Sequence, residues 1–132
     1  AITFCETCNE QRIVLDHLAK APLKSGDISG WKKQLQSFKN LGHVSAKISG
    51  IVTEAADKHW NQNQVNEIVD IALEVFGPKR LLIGSDYPVL LLNSTLERWV
   101  MTFQEALKGL SPEEKKKIYH LNARQFYQLE TI

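Results

Sequence analysis

Three short apolar runs, each closing on polar side chains, constrain this chain more than any other feature. Residues 12–17 read Arg-Ile-Val-Leu-Asp-His, residues 43–50 read His-Val-Ser-Ala-Lys-Ile-Ser-Gly, and residues 80–86 read Arg-Leu-Leu-Ile-Gly-Ser-Asp. Runs this short and this rich in Ile, Val and Leu predict strands. The first is apolar on both faces, as in a parallel strand buried between two layers. The second alternates Val44, Ala46 and Ile48 with His43, Ser45, Lys47 and Ser49. Between the runs the period lengthens. Apolar residues at 28, 31, 35, 38 and 41 predict a helix from Ser29 to Leu41, with Ser29 as N-cap and Gly42 as C′. Those at 65, 68, 69, 72, 73 and 76 predict another, closed by Gly77-Pro78. Thr95–Leu107 resumes the helical spacing, and Ser111-Pro112-Glu113-Glu114 opens a last helix with a capping box. Residues 1–11 read as the tail of a helix that has no N-cap.

Strands alternating with helices give parallel βαβ units with right-handed crossovers. Helices on one side of three parallel strands leave the other face bare, an apolar patch in need of cover. Either helices cover both faces in a doubly wound sheet, or further strands close a barrel; in both folds ligands bind at the carboxyl ends of the strands. Here those ends carry Asp16-His17, Lys47 with Ser49, and Ser85-Asp86.

Composition removes several classes of function. Sixteen Lys plus Arg against fifteen Asp plus Glu give a net charge of +1, with no excess to attract nucleic acid or an anionic membrane. The longest apolar run, Pro88 to Leu92, is far too short to span a bilayer. Two cysteines make no disulfide framework, which points to a reducing, cytoplasmic setting. Cys5-Glu6-Thr7-Cys8 lies before a strand rather than at a helix start after one, and no second such pair exists. That reads as two small apolar residues on a helix face, not as a redox or zinc motif. Lys115-Lys116-Lys117 reads as a solvated face paired with Glu113 and Glu114.

Among residues able to carry chemistry, His17 at a strand end can bind a metal, polarise a carbonyl or move a proton; it can equally hydrogen-bond a neighbouring backbone group. Asp86 can activate water or ligate a metal, or cap the turn before Pro88. Lys47 can hold an anionic substrate group or lie in solvent. Ser49 faces in or out with the register. Glu54, Asp57, His59 and Trp60 occupy a long polar loop, either as a substrate wall with Trp60 as apolar platform or as a solvated surface.

These runs, residues 13–20, 46–50 with Thr53-Glu54-Ala55, 76–78 and 80–89, together with the tail 122–129, resemble the amidohydrolase 2 family in matching order. Within it the likeness is to sugar-lactone hydrolases and the related pyrone-dicarboxylate lactonases. The resemblance implies a TIM (β/α)8 barrel of roughly twice this length, of which these would be the last three βα units. It implies catalysis by Asp86, activating water, with His17. It adds substrate contacts from Lys47, Ser49, Glu54, Trp60 and Tyr87, on a lactone or carboxylate substrate. It implies a divalent metal such as zinc, held by Asp86 and His17, where one is used. The His-x-His pair that members carry on the first strand does not occur among His17, His43, His59 and His120. The expectation is that residues 1–132 are a partial barrel domain beginning within a longer protein, as the opening on Ala1 and the uncapped first helix fit, and inactive alone. The alternative is a non-catalytic half-barrel completed by another chain.

Overall fold

The computed structural model describes residues 1–129. In chain order its elements are α1 (Ile2–Thr7), β1 (Ile13–Leu15), α2 (Ser29–Gln36), β2 (Val44–Ile48), α3 (Gln62–Phe76), β3 (Leu81–Ile83), α4 (Leu96–Ala106), α5 (Pro112–Lys116) and α6 (Asn122–Tyr127). The strands lie side by side in the order β1-β2-β3, all parallel, with α2 and α3 as crossovers. A doubly wound sheet needs that order to reverse within the chain, so this reading is excluded.

The register explains both faces. Ile13 pairs with Val44, Leu15 with Ala46, Ala46 with Leu81, and Ile48 with Ile83. These side chains share one face and enter a core with Leu35 of α2 and Val65, Ile68, Val69 and Ala72 of α3. Each fully buried aliphatic side chain there contributes roughly 1.5–3 kcal/mol relative to exposure. Val14 pairs with Ser45 and Lys47 with Leu82, which puts these residues on the opposite face. That face is not the bare apolar patch expected from the strand count, because β2 contributes Ser and Lys to it. Nor is β1 sandwiched between two layers: its residues are only half-buried, since β1 is an outer strand of the sheet.

Several boundaries differ from expectation for local reasons. Ser29 lies inside α2, and the Asp27 carboxylate accepts from its backbone N–H at 2.9 Å. Helix α2 ends at Gln36 and tightens into i→i+3 turns, with Phe38 N–H on Leu35 O and Lys39 N–H on Gln36 O. Gly42 therefore caps nothing. Helix α3 begins at Gln62, earlier than the apolar spacing indicates, because Asn61 and Gln64 form a reciprocal capping box. The expected box at Ser111 and Glu114 forms. Lys115 donates to the Lys108 carbonyl at 3.0 Å rather than pairing with a glutamate. Cys5 is buried and Cys8 half-buried, both as free thiols.

Two polar anchors tie the helices to the sheet. The Arg80 guanidinium donates to the carbonyls of Leu41 (2.8 Å), Val75 (2.9 Å), Lys39 (3.0 Å) and Val44 (3.0 Å), joining the end of α3 to the α2–β2 connection. The Asn122 amide donates to the carbonyls of Leu81 (2.7 Å) and Pro78 (2.8 Å), seating α6 beside β3.

Candidate active site

His17 is aimed by an unusual piece of backbone. After β1 the chain enters a turn in which His17, Leu18, Ala19 and Lys20 have φ of 50°, 49°, 53° and 59°. The left-handed region costs an L-residue about 1–2 kcal/mol, so four in succession persist only because their surroundings hold them. Leu18 is fully buried, and its carbonyl accepts from the Trp31 indole N–H at 2.7 Å. The Lys20 ammonium lies 3.2 Å from Glu54. His17 Nδ1 is hydrogen-bonded to Ser49 Oγ at 2.8 Å.

On the other side of the sheet, Gly84 leads from β3 to Asp86, whose φ is also left-handed at 60°. The Asp86 carbonyl accepts from Leu90 N–H at 2.9 Å. The Thr53 hydroxyl, which donates to the Gly50 carbonyl at 2.6 Å, lies 3.3 Å from Asp86 Oδ2. Two strained turns on β1 and β3 thus meet over the end of β2, with His17 Nε2 3.6 Å from Asp86 Oδ1. Their side chains are 27% and 17% exposed, sheltered yet open to a small molecule.

Asp16 completes the electrostatics. One carboxylate oxygen is 3.3 Å from His17 Nε2, and the other is 2.9 Å from Lys47 Nζ and accepts from the His17 backbone N–H at 3.1 Å. Burial works to raise the Asp16 carboxyl, but the Lys47 hydrogen bond, the charges of His17 and Lys47 and the backbone bond outweigh it and hold it below the usual carboxylate range. Burial likewise works to lower Lys47, and Asp16, joined by Tyr127 from the end of α6, outweighs it and raises the ammonium above its ordinary value.

Of the residues singled out from sequence, His17, Lys47, Ser49 and Asp86 converge here, and Glu54 stands at the edge through Lys20. Ser49 is completely buried, with its hydroxyl hydrogen-bonded to the His17 ring. Trp60 is no platform. It is 6% exposed, donates its indole N–H to the Asn93 carbonyl at 2.8 Å, and carries the Arg98 guanidinium on its face 3.7 Å from the ring centre. Asp57 and His59 pair locally and face solvent. Tyr87 is 64% exposed beside Asp86, at the rim. Asp16, Thr53, Trp31 and Tyr127 were not singled out. Asp16 had a signal, as the polar residue next to His17, and Thr53 one as the neighbour of Glu54; Trp31 and Tyr127 come from α2 and α6.

His17 and Asp86 place two possible metal donors side by side. Among the described residues no three His, Cys, Asp or Glu side chains form a ligand group. His17 and Asp86 are two donors, and the oxygen of Asp16 that would approach such a group belongs to a carboxylate already engaged by Lys47. Catalytic zinc takes three protein ligands.

The chain is similar to known proteins over nearly its whole length. A family model described as amidohydrolase matches residues 4–129. An L-fucono-1,5-lactonase of Burkholderia multivorans is 33% identical over 145 residues, covering 96% of this chain and 46% of that protein. An L-fucono-1,5-lactonase of Burkholderia ambifaria is 29% identical, covering 98% and 46%. The crystal structure of an amidohydrolase from Burkholderia multivorans with bound zinc superposes with a TM-score of 0.92 at 30% identity, over 98% of this chain and 48% of that one. The chain spans about half the length of the curated relatives it matches. Its three consecutive βα units are part of an α/β barrel.

Proposed function

The chain belongs to the amidohydrolase family, and from that premise we propose that it supplies the last three βα units of a hydrolase that opens a lactone ring. The observation that carries this reading is the approach of His17 Nε2 to Asp86 Oδ1, 3.6 Å, across the carboxyl ends of β1 and β3. Barrel enzymes place their chemistry at that end.

In the proposed step Asp86 accepts a proton from water as the water oxygen attacks the lactone carbonyl. The ring C–O bond then breaks, the proton passes to the departing ring oxygen, and a hydroxy acid is released. His17 orients the Asp86 carboxylate and relays the proton. Lys47 and Tyr87 contact the substrate from the polar face and the rim. His17 and Asp86 would hold a divalent metal if one is bound, and it would polarise the lactone carbonyl and the attacking water. A sugar lactone is the substrate class, supported by the names of two relatives, the L-fucono-1,5-lactonases. The remaining strands of the barrel lie outside these residues, and two free thiols suit a reducing compartment. No described helix is long and apolar enough to cross a membrane.

The test is turnover of L-fucono-1,5-lactone by the complete enzyme and its Asp86→Asn variant. Loss of hydrolysis with retained folding is expected; near-normal turnover would sink the assignment.

A second reading rests on the outer strands. In the order β1-β2-β3, β1 and β3 each pair on one side only, and a sheet edge of this kind recruits further strands. The chain would then be a half-barrel that assembles with another chain. Sedimentation decides: a stable monomer of these 132 residues at micromolar concentration counts against it.

A further inference from the structure

We propose that Trp31 is a positioning residue for His17, acting through the backbone of the left-handed turn. The inference rests on the reading that His17 works at the site; it adds what sets the direction of its ring.

The turn from His17 to Lys20 contains no glycine, yet all four φ values are positive. Left alone, such residues adopt the right-handed region. Within the turn Lys20 N–H donates to the His17 carbonyl at 2.8 Å and His17 N–H to the exposed Asp16 carboxylate at 3.1 Å; two bonds from outside it belong to exposed or ring groups. Lys20 meets Glu54 through an ammonium that is 69% exposed, and salt and water weaken that contact. Ser49 holds the His17 ring, not the backbone that carries it. The Trp31 bond differs from both. It is buried, it is 2.7 Å long, and it grips the carbonyl of Leu18, the residue directly after His17.

Reversing φ and ψ at Leu18 swings this carbonyl off the indole and leaves a buried backbone acceptor without its partner. The same reversal carries the His17 side chain away from Asp86. Trp31 sits near the start of α2, which is packed into the core through Leu35. The indole therefore refers the aim of His17 to a rigid element rather than to the loop itself, which is how a support fixes a reacting group.

The experiment replaces Trp31 in the complete protein with β-(3-benzothienyl)alanine, which keeps the bicyclic shape and lacks the N–H. Trp31→Phe is the genetically encoded companion. The first readout is the His17 ring in a long-range 1H–15N spectrum, which reports its tautomer and titration. The second is kcat against KM for the lactone. The expected result is a changed His17 ring signature, with kcat lowered about tenfold and KM within about twofold, as for a misaimed proton-transfer group. The control is Ile68→Ala, which weakens the same core from α3 and leaves the His17 signature as it was. A His17 spectrum unchanged by the benzothienyl substitution overturns the proposal. So does an Ile68→Ala spectrum that moves as far as that of the Trp31 variants. If His17→Ala keeps full turnover, the hydrolytic role of His17 falls, while the spectra still decide what Trp31 does.

Discussion

The missing side chain of Gly50 is what makes room for His17. A Cβ built on Gly50 would stand 2.8 Å from His17 Nδ1 and 2.9 Å from Cγ, and Gly50 itself has a φ of +65°. Gly50→Ala therefore meets two penalties at once: the left-handed backbone, worth about 1–2 kcal/mol, and a clash with a ring that cannot retreat without leaving Ser49. The expected outcome is lower stability in urea and a kcat/KM of the complete enzyme reduced about 100-fold. Unaltered kinetics would show that His17 can work from another position.

Ser49→Ala removes the only hydrogen-bond partner that the described residues give His17 Nδ1. The vacated space is dry, since Ser49 is 0% exposed. A buried polar group left unpaired costs about 1–3 kcal/mol, to be read from the urea midpoint. The His17 ring signals should show exchange between tautomers in place of one form.

The pair of Asp16 and Lys47 fixes the pH dependence of this corner. Asp16 titrates below its ordinary value, so its stabilisation is complete above the unfolded aspartate value of about 3.9 and is lost as pH falls through the lowered one. Lys47 titrates above its ordinary value, so its share is complete below the unfolded lysine value of about 10.4 and is lost as pH rises through the raised one. Denaturation midpoints should form a plateau between these limbs, and Asp16→Asn should flatten both. With Asp16 53% exposed, added salt should shrink the difference between the two proteins.

Arg80 is a structural cation. Its fork serves the carbonyls of Leu41, Val44, Lys39 and Val75, which no lysine reaches at once. Arg80→Met should cost at least about 3 kcal/mol through orphaned carbonyls, and Arg80→Lys should recover little of it. Thermal and urea unfolding measure both.

Much of the architecture was legible because it is written locally. The Val-Ser-Ala-Lys-Ile alternation of β2 reads directly as one face in the core and one polar face, and Ser111 with Glu114 reads directly as a helix start. The placement of His17 and Asp86 at strand ends was legible for the same reason. What escaped depends on packing between distant segments. Nothing in His-Leu-Ala-Lys announces a left-handed turn; the Trp31 indole that donates to the Leu18 carbonyl lies thirteen residues further on. Trp60 looked like a loop platform because Asn93 and Arg98, which bury it, lie more than thirty residues away in the chain. Whether Ser49 faces in or out was open because its sequence neighbourhood does not reveal the His17 ring that covers it.

The strand order β1-β2-β3 has a bearing on how the protein is made. A ribosome releases the amino end first, and in this topology each new strand pairs with the one synthesised just before it. β2 finds β1 already present, and β3 finds β2, with only a crossover helix between. Of the described elements α6 is made last, and its Asn122 then fastens to the carbonyls of Pro78 and Leu81. Across these three strands vectorial synthesis and spatial order run in the same direction, and the Asn122 clasp follows them.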